Sequence, residues 1–325
     1  MKSPITGKEM KLMKERRSID FRKEKFDIVY HYYKCEDSGE QFTTTSIDEL
    51  NTNQVYNQYR ERFNIPFPDE ITAIRKKYDL SAAKMSEILG LGVNSYRQYE
   101  AGEMPSIANA KLIRMADDPK IFMGMIELCG TLDEKARAKY INKARSLAEE
   151  KKINIFKLNF KEYLLGSHLA DIYSGYRNPD FEKFKEMVVF FSEKIEPFKT
   201  KMNKLLFYAD FLMFKHTCFS ISGVRYRAID MGPVPEKFQS IFEYLANEEE
   251  IDIKNIQFSN GNTGEQFFAR KNRPFKADLF TEKELEVLEK VASLFKSTST
   301  NDIIVIADTI YQSFDAPFGP NRPPS

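Results

Sequence analysis

The chain has 325 residues, 49 Lys and Arg against 48 Asp and Glu, and a formal net charge of +1, so no overall basic bias points to nucleic acid. Charged residues are 30% and hydrophobic ones 42%, the balance of a soluble globular protein with room for two or three cored domains. Three widely spaced cysteines (Cys35, Cys129, Cys218) form no disulfide framework, no apolar run is long enough to span a membrane, and the N-terminus lacks a signal-peptide core, which predicts a cytoplasmic protein.

Residues 1 to about 45 read as small β-hairpins, with "FDIVYHYYKC" rich in β-branched and aromatic residues between turn-forming flanks. Two segments here, "SPITGKEM" and "YKCEDSGEQF", share the punctuation of a zinc ribbon: a turn, two ligand positions three residues apart, then Gly. The ligand positions hold Ser3 and Thr6 before Gly7, and Cys35 and Ser38 before Gly39. From Asp48 to Phe63 the pattern is helical. "NIPFPDE" interrupts it and marks a domain boundary, with Pro68 suited to the first turn of the next helix.

Short helices follow. "DEITAIRKKY" places Ile71, Ile74 and Tyr78 on one face. "SAAKMSEILG" opens on Ser81 and closes at Gly90, "VNSYRQYEAG" closes at Gly102, and "SIANAKLIRMADDP" ends before Pro119. Longer helices are expected through "IFMGMIELC" and "DEKARAKYINKARSLAEEKK". A separate domain is expected from about residue 170, with a turn-rich "SGYRNPDFEKF" entering a helix. "TKMNKLLFYADFLMFKHT" carries Met202, Leu205, Leu206, Ala209, Leu212 and Met213 at helical spacing. Next come a short strand or turn in "GVRYRAIDMGPVPEKF", a further helix, a strand in "EQFFARKNRPF", and an amphipathic helix in "TEKELEVLEKVASLF" with Thr281 and Glu284 as a capping box.

Two helices in "LSAAKMSEILGLGVNSYRQYEAGEMPS" are joined by a turn holding Gly90 and Gly92. Helical residues advance by 100°, so Tyr96 and Tyr99 share a core-facing side while Asn94, Arg97 and Gln98 occupy the opposite sector. Asn and Gln match adenine edges and Arg matches guanine. Asn94, Ser95, Arg97 and Gln98 are therefore candidate DNA contacts, with Ser81 and Lys84 placed for phosphates; the bland reading is a solvated polar face. Leu89-Gly90, an eight-residue spacer, Tyr99-Glu100-Ala101-Gly102 and Pro105-Ser106 resemble the helix-turn-helix of Xre/Cro-type repressors. Acids match bases in this segment, so tight binding to operator DNA implies a homodimer.

A ribbon followed by this helix-turn-helix resembles the MqsA-type antitoxins over roughly residues 1–118. Both knuckles of that family are Cys-x-x-Cys. Here Ser3, Thr6 and Ser38 replace three of the four ligands, and hydroxyls are poor zinc ligands. Cys35 and His31 supply at most two ligands, so a metal-free ribbon is expected, with no cofactor. Asn94 matches the family's DNA-reading Asn. Gln98 stands where the family has Arg, with Arg97 one position earlier, so base specificity should differ.

"KLLFYADF", "FSISGVRYRAIDMGPVP" and "FTEKELEVLEKV" resemble the Panacea (SocA-like) domain over roughly residues 175–315. "DTIYQSFDAPF" lacks that family's Ser-His step and Trp. The resemblance implies an antitoxin domain that neutralises a toxin by direct contact. Tyr208, Asp210, Arg225 and Tyr226 are candidate partner contacts; alternatively Asp210 caps a helix or pairs with Arg225, and the leucines around it are core.

Enzymatic readings find little support. His168 and His216 have no metal-like companion, Cys218 beside His216 is too local to argue a catalytic pair, no phosphate-cradling loop is present, and "EEEID" reads as a solvated charge run. The expected fold is mainly α with small β elements: a degenerate ribbon with exit helix (1–63), a helix-turn-helix (64–118), a helical connector (119–174) and a Panacea-like domain (175–325). The expected function is a toxin-antitoxin antitoxin, not an enzyme, that binds a cognate toxin and represses its own operon. The alternatives are a prophage regulator or protease adaptor and, from another class, a hydrolase at His216 and Cys218.

Overall fold

In the computed structural model, described for residues 1–153, 162–166, 168–229, 232–258, 261–299 and 302–303, the chain divides into two units, Met1–Leu158 and Asn159–Ser325. The first opens with one long hairpin rather than several small ones. Strand β1 (Lys11–Phe21) pairs antiparallel with β2 (Glu24–Lys34), from Lys11↔Lys34 to Phe21↔Glu24, and β3 (Gln41–Phe42) adds to the end of β2. The two turn residues, Arg22 and Lys23, are both left-handed, with φ of 49° and 69°. That geometry suits the right-handed strand twist, and here it is reached without Gly or Asn. The Arg22 guanidinium holds the tip in place, donating to the carbonyls of Met104 and Pro105 at 2.9 Å each.

Alternate residues of β2, Phe26 and Ile28, are buried against Val55 and Tyr59 of helix α1 (Thr45–Phe63), together with Ile65, Met104 and Ala110. Helix α1 also covers the free edge of β2. Asn51 and Gln54 each accept a backbone N–H and donate to the carbonyl of one strand residue, His31 and Val29 respectively, at 2.9 Å, and Gln58 donates to Asp27 at 3.0 Å. The amides stand in for a neighbouring strand and satisfy an edge that would otherwise template aggregation. Arg60 of α1 is 1% exposed and donates to the carbonyl of Gly102 at 2.7 Å; burial lowers its pKa to about 10.

Helices α2 (Pro68–Lys77), α3 (Ala82–Ile88), α4 (Ser95–Glu100), α5 (Ile107–Met115), α6 (Pro119–Leu128) and α7 (Glu134–Ile153) complete this unit. Pro68 opens α2 at its first turn, where its missing N–H costs nothing. Ile71, Met85, Tyr96 and Ile113 share one core with Phe122, Ile126 and Ala144, so α6 and α7 pack with the helix-turn-helix.

In the second unit a 3₁₀ turn (Ile172–Ser174) precedes α8 (Phe181–Ile195) and α9 (Lys199–Thr217). Short strands β4 (Tyr226–Arg227) and β5 (Val234–Pro235) pair antiparallel. Helix α10 (Phe238–Asn247), the hairpin β6 (Ile251–Gln257) with β7 (Thr263–Ala269), and α11 (Glu282–Phe295) follow. Every residue from Lys201 to Phe211 of α9 is buried, including Lys201, Asn203, Lys204 and Asp210. Thr281 and Glu284 form the expected capping box on α11, and Lys183 of α8 reaches the same carboxylate at 2.6 Å. The architecture is mainly α with small β elements. Strand β6 begins where "EEEID" suggested only a charge run. The segment "DTIYQSFDAPF" lies outside the described residues. Among the described residues, no helix is long and apolar enough to cross a membrane.

Candidate functional site

The helix-turn-helix is held by a few specific bonds. Ser81 caps α3, accepting from the Lys84 N–H at 3.2 Å, and Gly90 ends its last turn with φ +67°. The buried Ser86 hydroxyl accepts from the Tyr96 N–H at 3.1 Å and fixes the start of α4. Tyr96 then donates to the carbonyl of Ile71 at 2.8 Å, and burial pushes its pKa up. Tyr99 accepts from Asn109 at 2.9 Å. Glu100 takes both ends of the Arg75 guanidinium at 2.6 and 3.2 Å, and Arg75 also holds the Leu80 carbonyl at 2.7 Å. The Glu of the Tyr-Glu-x-Gly ending is thus an anchor between α2 and α4, a role that needs Arg75 and that spacing within the motif does not reveal.

On the other side of α4, Asn94, Arg97 and Gln98 are exposed and Ser95 is half-buried. Ser81 is exposed as well. Lys84 is tied to Glu87 at 2.6 Å, an interaction that raises the lysine's pKa, and Glu87 also accepts from Thr131 at 2.7 Å. A phosphate at Lys84 must therefore compete with a carboxylate already in place.

The two knuckles converge. Gly7 and Gly39, with φ of +69° and +73°, donate back to the carbonyls of Ser3 and Cys35 at 2.9 Å each. Ser3 Oγ accepts from the N–H groups of Ile5 and Thr6 at 3.2 Å, and Thr6 Oγ1 lies 3.3 Å from Cys35 Sγ. Hydrogen bonds from the Ser38 hydroxyl, the Thr6 hydroxyl, the Ser38 N–H and Ser3 hold the Cys35 thiol down to about 6. Zinc needs four thiolate or imidazole donors, and these four positions offer one thiol and three hydroxyls, so they do not fit it. Among the described residues no group of three His, Cys, Asp or Glu is placed to hold a metal ion.

In the second unit Asp210 is fully buried. Its Oδ1 accepts from the N–H groups of Ile221 and Ser222 at 2.8 Å each, and its Oδ2 from the hydroxyls of Ser222 at 2.5 Å and Tyr226 at 2.6 Å. Burial nonetheless raises its pKa, and burial beside the carboxylate pushes the Tyr226 phenol well up. Tyr208 stacks on Phe295 and donates to the carbonyl of Ile303 at 3.2 Å. Arg225 pairs with Asp171, not with Asp210. Of the four residues expected to touch a partner, Tyr208, Asp210 and Tyr226 are therefore interior: Asp210 and Tyr226 tie α9 to the loop that follows, Tyr208 ties α9 to α11 and Ile303, and Arg225 alone reaches the surface. Gly223 in this loop has φ +70°, and a Cβ there would sit 2.3 Å from the Asn178 carbonyl oxygen, so the close approach requires glycine. His216 and Cys218 offer no ready nucleophile: burial pushes the Cys218 thiol up to about 12.

Residues 202–309 match the family model described as antitoxin SocA-like, Panacea domain, and residues 1–123 match that of the antitoxin component of a bacterial toxin-antitoxin system, MqsA. The chain thus carries two segments that each match an antitoxin family model. No curated protein and no solved structure matches it. The MqsA match runs from the first knuckle into α6, and so includes the hairpin, the hydroxyl-lined knuckles and α4. The Panacea match begins inside α9 and contains Asp210, Ser222, Gly223 and Tyr226, the buried knot just described, while Asp171 lies outside it. Both matches support an antitoxin role.

Proposed function

We propose that the chain is the antitoxin of a type II toxin-antitoxin system, neutralising its toxin by direct binding through the second unit and repressing its own operon through the helix-turn-helix. The observation that carries this reading is the exposure of Asn94, Arg97 and Gln98 on a helix whose opposite face, Tyr96 and Tyr99, is locked into a core. A short helix anchored on one side, with amide and guanidinium groups free on the other, suits a major-groove reader. The second unit has a separate hydrophobic core running from Leu164 to Ile303, which suits a division of labour. A homodimer would bring two reader helices to a two-fold operator.

The two activities should separate. With the product of the adjacent reading frame as toxin, an Asn94→Ala/Gln98→Ala double variant should keep rescue of growth and lose promoter repression. A fragment from about Glu162 onward should rescue without repressing. A double variant that still represses, or a folded fragment that fails to rescue while residues 1–118 succeed, would overturn the corresponding half of the reading.

A further inference from the structure

Ahead of α4 the chain turns through Gly92, Val93, Asn94 and Ser95. The Ser95 N–H donates to the Gly92 carbonyl at 2.9 Å, and Asn94 has φ −99° and ψ −4°, which makes this a type I turn with Val93 and Asn94 at its corners. Gly92 lets the turn close, because a Cβ there would sit 2.9 Å from Ser95 Oγ. The corners of a type I turn have near-helical dihedrals, and residues four apart on a helical path share a face. Val93 therefore lies ahead of Arg97, as Asn94 lies ahead of Gln98, and all four are exposed.

Each corner residue departs from what the turn alone asks for. An Asn at the start of a helix usually accepts an N–H of the first turn. Asn94 makes no such bond, and the Ser86 hydroxyl takes the Tyr96 N–H in its place, so the Asn94 amide is left for other partners. Val93 is apolar and yet 76% exposed. Turn corners favour Gly, Pro, Asn, Asp and Ser, each for its backbone freedom or its hydrogen bonds, and a branched apolar side chain offers neither. A single exposed apolar residue is ordinary. This one adjoins an uncommitted amide, at the leading end of a helix whose other side Tyr96 and Tyr99 fix in the core, and the leading residues of a reader helix are those that meet base edges.

In the major groove, adenine offers an acceptor and a donor that an amide can match, and thymine offers its 5-methyl group to apolar side chains. We propose that Val93 is a specificity-determining residue of the DNA reader: it packs on the 5-methyl of a thymine in the base pair next to the adenine that Asn94 takes. This rests on the DNA-reading half of the function proposed above. It adds a base contact that the periodicity of α4 did not assign, since Val93 precedes the helix.

The test uses the full chain and the DNA upstream of its own reading frame, with the bound site located by footprinting. Each thymine of that site is replaced in turn by deoxyuridine, which removes the methyl and keeps every hydrogen-bonding group. For wild type, at least one such replacement should weaken binding about fourfold, the worth of burying one methyl group. Val93→Ala should bind the thymine and uracil forms of that site alike. It should keep the melting temperature of the wild type, because truncation at so exposed a position leaves no cavity. If the wild type binds every substituted site like the original, or Val93→Ala still loses about fourfold on the uracil form, the inference is overturned. The DNA reading itself then stands where Asn94→Ala and Gln98→Ala weaken binding. A wild type that protects no site overturns the DNA reading and the role of Val93 with it.

Discussion

Helices α4 and α9 are each the centre of a sequence motif, and they use their polar residues in opposite ways. Helix α4 hides two tyrosines and leaves Asn94, Arg97 and Gln98 in water. Helix α9 hides everything from Lys201 to Phe211, and turns its polar residues into internal ties: Asp210 to the Ile221–Tyr226 loop, Lys204 to the Pro233 carbonyl at 3.0 Å, Lys201 to the Thr298 carbonyl at 2.6 Å. A polar residue at the heart of a motif can thus be there to bind something else or to hold the fold. Exposure decides between them, and the two cases should respond differently to substitution.

The sharpest contrast is Asp210. Asp210→Ala leaves two N–H groups and two hydroxyls without their acceptor in a dry core, and should cost about 3–5 kcal/mol in denaturant unfolding. Its pH dependence has a definite sign. Because the folded carboxyl has a raised pKa, it contributes stability that is fully present below the unfolded value and lost as pH rises through the folded one. The stability difference between wild type and Asp210→Asn should therefore grow in favour of wild type toward acid. An Asp210→Ala variant as stable as wild type would erase the distinction between the helices.

Next in size are Asn94→Ala and Gln98→Ala. Each should lose about 1–3 kcal/mol of specific operator binding, if each makes a bidentate base contact, while unfolding free energy stays within about 0.5 kcal/mol of wild type. Equal operator affinity in gel-shift titrations would break the reader assignment. Tyr96→Phe, on the hidden side of the same helix, should do the reverse: lose about 1 kcal/mol of stability with the bond to Ile71, and leave base preference unchanged.

The smallest effect concerns the knuckles, a third use of polar groups. The thiolate absorbance that Cys35→Ala removes should titrate with a midpoint near 6, and Ser38→Ala should move it upward. A midpoint at the ordinary thiol value would mean that the hydroxyls do not hold the thiolate.

Helix α4 was legible because its periodicity and its burial coincide: apolar residues in, polar residues out, glycines at the ends. Helix α9 was only half legible. Its apolar positions read as core, but a helix buried on every side hides its polar residues too, and nothing in local spacing says that Asp210 meets Ser222 and Tyr226. The knuckle turns were readable from Gly7 and Gly39, whose left-handed backbone is a local requirement. Strand β1, "KLMKERRSIDF", was not, because its charges face solvent along an outer edge and mask the alternation. Its turn was equally hidden, since Arg22 and Lys23 adopt a conformation that sequence assigns to Gly and Asn. The four-residue partner set failed at three positions for one reason: residue type was read as surface chemistry when burial made it structural.

The grip of Arg22 and Arg60 on the carbonyls of Gly102, Met104 and Pro105 has a consequence for how the first unit comes apart. These oxygens lie just past the end of α4, and Met104 packs with the hairpin and α1. Unfolding the hairpin with α1 would strip that loop of its donors and its apolar cover together. Amide protons of the hairpin and of α4 should then exchange through one shared opening, and a protease that clips the N-terminal strands would loosen α4 without cutting it.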